Sequence, residues 1–152
     1  MNKTNPIGVL DYADEGLQYV KIITQRIPNE KIIYFNNRIE GVLDSASLTG
    51  LAEEGVDLLI KKNSKAIVVV SLSLGNNTLE HLRNKYKQIT FIPFFTPTAD
   101  VRNIDHNLEG MGVRCTLGAQ AKHEFYVDDE ITFTNQYEKV IGSKPDYVEK
   151  IK

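Results

Sequence analysis

A chain of 152 residues, with 18 basic against 20 acidic side chains and a net charge of -2, is the size of one domain with its own hydrophobic core. Near-neutral charge without a basic stripe argues against a nucleic-acid partner, and a single cysteine, Cys115, excludes an internal disulfide framework and a cysteine-rich zinc site. No apolar run approaches the roughly 20 residues that span a bilayer, and the opening MNKTNPIGVLDYADEG has no apolar core of signal-peptide length, so a cytoplasmic protein without a membrane partner is expected.

Pro6 to Leu10 reads as a first strand that ends at Asp11. Leu17, Val20, Ile23 and Ile27 then recur at helical spacing, with Asp14 as a candidate N-cap and Pro28-Asn29 as the stop. Lys31 to Phe35 is a second apolar strand, followed by the loop Asn36-Asn37-Arg38. Ser45 to Lys62 reads as a helix with Leu48, Leu51, Val56, Leu59 and Ile60 inward. Gly50 and Gly55 each weaken it by about 1 kcal/mol relative to alanine. Ile67 to Val70 is a continuous apolar run, the mark of a strand covered on both faces.

A helix is expected near Thr78, and Ile89 to Phe95 is a fourth strand, placed at a sheet edge by Pro93. Asp100 to Leu108 reads as a short helix, and Gly110 to Lys122 has no clear period. Glu124 to Val127 is a strand, Glu130 to Ile141 a helix and Tyr147 to Ile151 a last strand. Alternation of this kind calls for parallel βαβ units with right-handed crossovers.

In an open α/β sheet, ligands bind beyond the carboxyl ends of the strands, which places any site around Ser71 to Thr78 and Asp11. Hydroxyls and amides dominate there, groups that hydrogen-bond but hardly titrate near neutral pH. Asp11 could face a ligand or hold the backbone amides of its own loop. Ser71, Ser73, Asn76, Asn77 and Thr78 could bind a small anion at a helix start, or serve as loop and cap residues. The glycine pattern fits no phosphate loop, which disfavours a nucleotide-binding reading. His106 and His123 have no metal-ligand spacing, so neither metal nor cofactor is expected.

With the elements in place, the chain resembles the glutamate racemases of the aspartate/glutamate racemase superfamily. PIGVLDYADEGL stands where that family has its opening strand and an Asp-Ser-Gly motif. IPNEKIIYF resembles the run into its second strand, and AIVVVSLSLGNNTLEHL aligns with the strand that delivers its first catalytic cysteine. FIPFFTP matches the segment ending in Glu-Pro, and HEFYVDDEITFTNQYEKVIGSKPDYVEKI looks like the closing segment. The resemblance implies a single three-layer, flavodoxin-like α/β domain with a mostly parallel sheet that the C-terminal segment completes. Residues 1–98 would form the core of one racemase lobe, 99–122 a short remnant in place of the second lobe, and 123–152 the closing segment.

The family inverts its substrate with two thiols, one on each side of the α-carbon; thiols serve because their pKa, about 8.5, can be lowered to give a thiolate. The resemblance puts Ser71 at the first cysteine, and Cys115-Thr116-Leu117 only echoes the second, Cys-Thr-His. Asp11 survives from Asp-Ser-Gly, while Tyr12 puts a ring where a small hydroxyl would meet the substrate. Asp11 and Ser71 are thus vestigial positions, and the implied reading is a catalytically inactive homologue kept for binding, regulation or self-association. Tyr12, Leu72, Leu74 and Val42 would rim the face left uncovered by the missing lobe, where a protein partner or second copy would dock. The competing reading is an enzyme or carboxylate-binding protein with altered activity at Asp11 and Ser71, completed across a homodimer.

Overall fold

The computed structural model describes residues 2–13, 16–39, 41, 43–70, 74–93, 97–116 and 121–151, with side chains from residue 101 onward in the fourth helix. Among the described residues six strands and five helices alternate: β1 (Ile7–Asp11), α1 (Gly16–Arg26), β2 (Ile32–Asn36), α2 (Ser45–Lys61), β3 (Ala66–Val69), α3 (Gly75–Lys85), β4 (Phe91–Pro93), α4 (Pro97–Gly110), β5 (Glu124–Val127), α5 (Glu130–Ile141) and β6 (Val148–Lys150). All strands pair in parallel, in the order β4-β3-β1-β2-β5-β6. The last segment does complete the sheet, through β5 on β2 and β6 on β5. β4, which holds Pro93, is an edge strand, as its missing donor requires.

Side-chain alternation divides the core into two layers. Ile7, Val9, Ile32, Tyr34, Val68, Phe125 and Val127 face one side, where they meet Leu17, Val20 and Ile23 of α1, Ile104 and Leu108 of α4, and Phe133 and Tyr137 of α5. Leu10, Ile33, Phe35, Ile67, Val69 and Tyr126 face the other, against Ala52, Val56 and Leu59 of α2 and Leu82 of α3. The domain therefore has three layers, with three helices on one face and two on the other.

Two helices and a strand differ from the sequence expectation: β4 starts at Phe91, two residues after Ile89. The third helix begins at Gly75 rather than near Thr78, because Gly75 takes φ +74, a turn that glycine makes at little cost. The fourth helix runs from Pro97 to Gly110, longer at both ends than the stretch from Asp100 to Leu108. Asp14, the expected cap of α1, lies outside the described residues.

Gly55 is a poor helix former for a packing reason. A Cβ there would sit 2.3 Å from Leu10 Cδ1, 2.7 Å from the Tyr12 hydroxyl and 2.9 Å from Phe35 Cδ1. The helix lies on the sheet only because this residue has no side chain. Gly55→Ala should therefore destabilise the fold by about 1–3 kcal/mol, although propensity alone favours alanine by about 1 kcal/mol. Gly50, with open space around it, should gain stability from the same change, and urea unfolding of the two variants reads the contrast.

Candidate functional site

The strand order makes β1 the switch point of the sheet: β1 runs into α1 on one face and β3 into α3 on the other. Ligand crevices in doubly wound sheets open between the carboxyl ends of such a pair. Asp11 ends β1 and shares the side of Ile7 and Val9, so its carboxyl points toward the start of α1. It is fully buried. Oδ2 accepts a hydrogen bond of 2.7 Å from the Tyr34 hydroxyl, and Oδ1 accepts one of 3.0 Å from the Ala13 backbone. Asn36 Nδ2 in turn donates to the Tyr34 oxygen at 3.0 Å and to the Ala13 carbonyl at 2.8 Å.

The carboxylate occupies the space that a side chain at Gly16 would fill: a Cβ there would lie 1.3 Å from Asp11 Oδ2. A negative group against the first turn of a helix is also favoured by the helix dipole. Through the Ala13 N–H, Asp11 holds the loop that follows its own strand. The Asn36–Tyr34–Asp11 chain is not evident from sequence. Its only visible sign there is the polar run Asn36-Asn37 directly beyond β2.

Asn76 and Asn77 are exposed in the first turn of α3, and Thr78 is buried. Leu74, at the N-cap of that helix, makes no side-chain capping bond. Ser71, Leu72, Ser73 and Val42 lie outside the described residues.

Two of the expected rim residues are corrected. Tyr12 follows Asp11, so strand alternation turns it to the opposite face, where it is only 2% exposed. Its ring packs edge-on to Phe35 and its hydroxyl donates to the Leu51 carbonyl of α2. Burial pushes its phenol pKa well up. Leu74 lies in the same α2/α3 core layer. Neither offers surface to a partner, and Tyr12 does not crowd the crevice.

Cys115 is buried at the other end of the sheet. Its backbone N–H donates to Glu30 Oε2 at 3.0 Å, and Glu30 precedes β2. From there to the level of Asp11 is the length of the strand, on the order of 15 Å. Glu30 also pairs with Lys65, which precedes β3, at 2.6 Å. Lys65 spends its other two N–H bonds on the carbonyls of Lys3, at 2.7 Å, and Val113, at 2.6 Å. This buried pair joins the N-terminal segment, two strand starts and the segment after α4.

His123 is also buried at that end; its Nδ1 accepts the Ile32 N–H at 3.0 Å, and desolvation pushes its pKa down. Among the described residues no group of three His, Cys, Asp or Glu could hold a metal ion, and no helix is long and apolar enough to cross a membrane.

No protein-family model matches the chain. It is similar to the glutamate racemase of Clostridium acetobutylicum, 31% identical over 106 residues that make up 66% of this chain and 41% of that protein. Against the glutamate racemase of Pediococcus pentosaceus it is 30% identical over 124 residues, 80% of this chain and 46% of that one. The chain thus aligns with less than half the length of these relatives. Among solved structures, glutamate racemase of Francisella tularensis in complex with D-glutamate superimposes with a TM-score of 0.73 at 15% identity, covering 99% of this chain and 98% of that one. A glutamate racemase isoform of Bacillus anthracis gives 0.76 at 13% identity, with the same coverage. At such identities the structures bear on the fold, and the sequence matches bear on descent. From the two together, this chain is a homologue of the glutamate racemases.

Proposed function

We propose that the chain is a catalytically inactive, racemase-like protein that serves as a binding or regulatory module. The observation that supports this most directly is the position of its one thiol. Inverting an α-carbon without a cofactor needs one group to remove a proton and another to return it from the opposite face. Cys115 is the chain's sole cysteine, and it lies at the amino end of the sheet, far from the β1/β3 crevice. Asp11, the surviving acid of the family motif, is fully buried and engaged by Tyr34 and Ala13. That burial also weighs against an altered carboxylate enzyme at Asp11 and Ser71.

Between α4 and β5 only residues 111–123 intervene, whereas an α/β lobe needs on the order of 100 residues. In this reading residues 99–122 replace the second lobe, and the crevice face is left for a protein partner or a second copy.

The protein should not interconvert D- and L-glutamate or aspartate, and Ser71→Cys should not rescue it, because a second donor would still be absent. Loss of both proton transfer and positioning costs many powers of ten in rate. Circular dichroism of glutamate follows inversion, and α-proton exchange in deuterated water follows the first half-reaction alone. Inversion by the wild-type protein that Ser71→Ala abolishes would overturn the reading. Exchange without inversion in Ser71→Cys would support it, locating the loss in the second half-site.

A further inference from the structure

The unequal helix layers leave part of the sheet uncovered. On the side of α2 and α3, no helix among the described residues covers β6, and beside it lies an open cavity of about 430 Å³. This volume is in the range of small-ligand sites. The cavity is at the amino ends of β2, β5 and β6, away from the β1/β3 crevice, and a role for it does not depend on whether racemisation is lost.

The negative groups in its wall are already engaged. Glu124 is bridged by Lys31 at 2.6 Å and accepts the Tyr126 hydroxyl at 2.7 Å. Asp146 accepts the His123 backbone N–H at 3.0 Å. The donors are not used up. Lys62 stands over the Tyr126 ring, 5.0 Å from its centroid, near enough to Glu124 to favour its charge, and among the described residues neither Lys62 nor Lys122 makes a direct ion pair. His123 is 6% exposed, and because its Nδ1 accepts the Ile32 N–H, its ring proton is on Nε2, which has no partner among the described residues. Tyr126 forms a buried floor, and Tyr147, 46% exposed, stands against it with ring centroids 6.2 Å apart.

We propose that this cavity binds a small organic anion, its carboxylate or phosphate held by Lys62, Lys122 and the His123 Nε2–H, its flat apolar part laid against Tyr147. A ligand of this kind supplies an acceptor for the Nε2–H, a counter-charge for two ammonium groups, and an apolar surface against the exposed phenol ring of Tyr147. A cation would meet three lysines against two carboxylates, a wall that keeps a net positive charge.

The test uses the full chain labelled with nitrogen-15 and titrated with benzoate, phenyl phosphate, inorganic phosphate and the neutral benzamide. Saturable shifts at the amides of Lys62, His123 and Tyr147 are expected with benzoate, phenyl phosphate or both, and the stronger of the two identifies the headgroup. Inorganic phosphate should bind more weakly than phenyl phosphate, and benzamide should produce no saturable shift. Lys62→Gln with Lys122→Gln, both at exposed positions, should weaken binding about tenfold or more and leave the melting temperature unchanged. The absence of saturation with both organic anions at millimolar concentration would overturn the proposal. So would equal binding of benzamide, or undiminished affinity in the doubly substituted protein.

Discussion

Lys65→Met should lower the free energy of unfolding by about 3–5 kcal/mol, a large part of what a domain this size has. Lys65 is fully buried and Glu30 nearly so, 2.6 Å apart. Taking away the ammonium leaves a carboxylate in the interior with, among the described residues, the Cys115 N–H for compensation, and it strands the carbonyls of Lys3 and Val113 as well. The cost is mostly that of the abandoned charge, not of the attraction lost. Removing both charges, Lys65→Met with Glu30→Gln, should therefore cost clearly less than the sum of the two single changes. Urea unfolding of the four proteins checks it. A loss under about 1 kcal/mol for Lys65→Met would mean that water reaches the pair and that the junction is not closed.

Gly16→Ala is expected to cost about 3 kcal/mol or more, in a helix where propensity by itself would make alanine the better residue by about 1 kcal/mol. The new methyl would overlap the Asp11 carboxylate, 1.3 Å from Oδ2 and 2.5 Å from Cγ, and would crowd the Tyr34 hydroxyl at 2.7 Å. To make room the carboxylate has to abandon both Tyr34 and Ala13, and hydrogen bonds to a charged group are worth about 1.5–3 kcal/mol each. Asp11→Ala clears the same space from the other side. In that background Gly16→Ala should cost clearly less, the crowding of the Tyr34 hydroxyl being what is left, so a double-mutant cycle should show strong coupling between positions 11 and 16. Additive effects would mean that the clash is relieved by movement of the helix rather than of the carboxylate.

The parts of this fold that could be read from the sequence are those set by local pattern. Continuous apolar runs marked β2 and β3, helical spacing marked α1 and α2, and Pro93 placed β4 at an edge because a proline cannot donate to a ladder. Boundaries failed where one backbone angle decides, as at Gly75. The interior of the site was less legible for a different reason. Whether Asp11 faces a ligand or holds its own loop depends on Tyr34 and Gly16, and only the completed parallel pairing of β1 with β2 brings the three together. Nothing in the residues around Lys65 marks it as buried, since lysine is ordinarily exposed and its partner lies thirty-five positions away. The family motif places Tyr12 at the crevice, whereas strand alternation and the missing side chain at Gly55 take it to the opposite face.

The interior position of β2 has a consequence for the order in which the protein is made. Until Glu124–Val127 leaves the ribosome, the outer edge of Ile32–Asn36 has no strand to pair with. Roughly ninety residues separate the two, which at 5–20 residues per second is on the order of 5–20 seconds of synthesis. During that interval an apolar strand, IIYFN, is an open template for any other unpaired chain, including a neighbour on the same messenger. The nascent chain is therefore expected to be most prone to mispairing, and most in need of chaperone cover, between the completion of β4 and the arrival of β5.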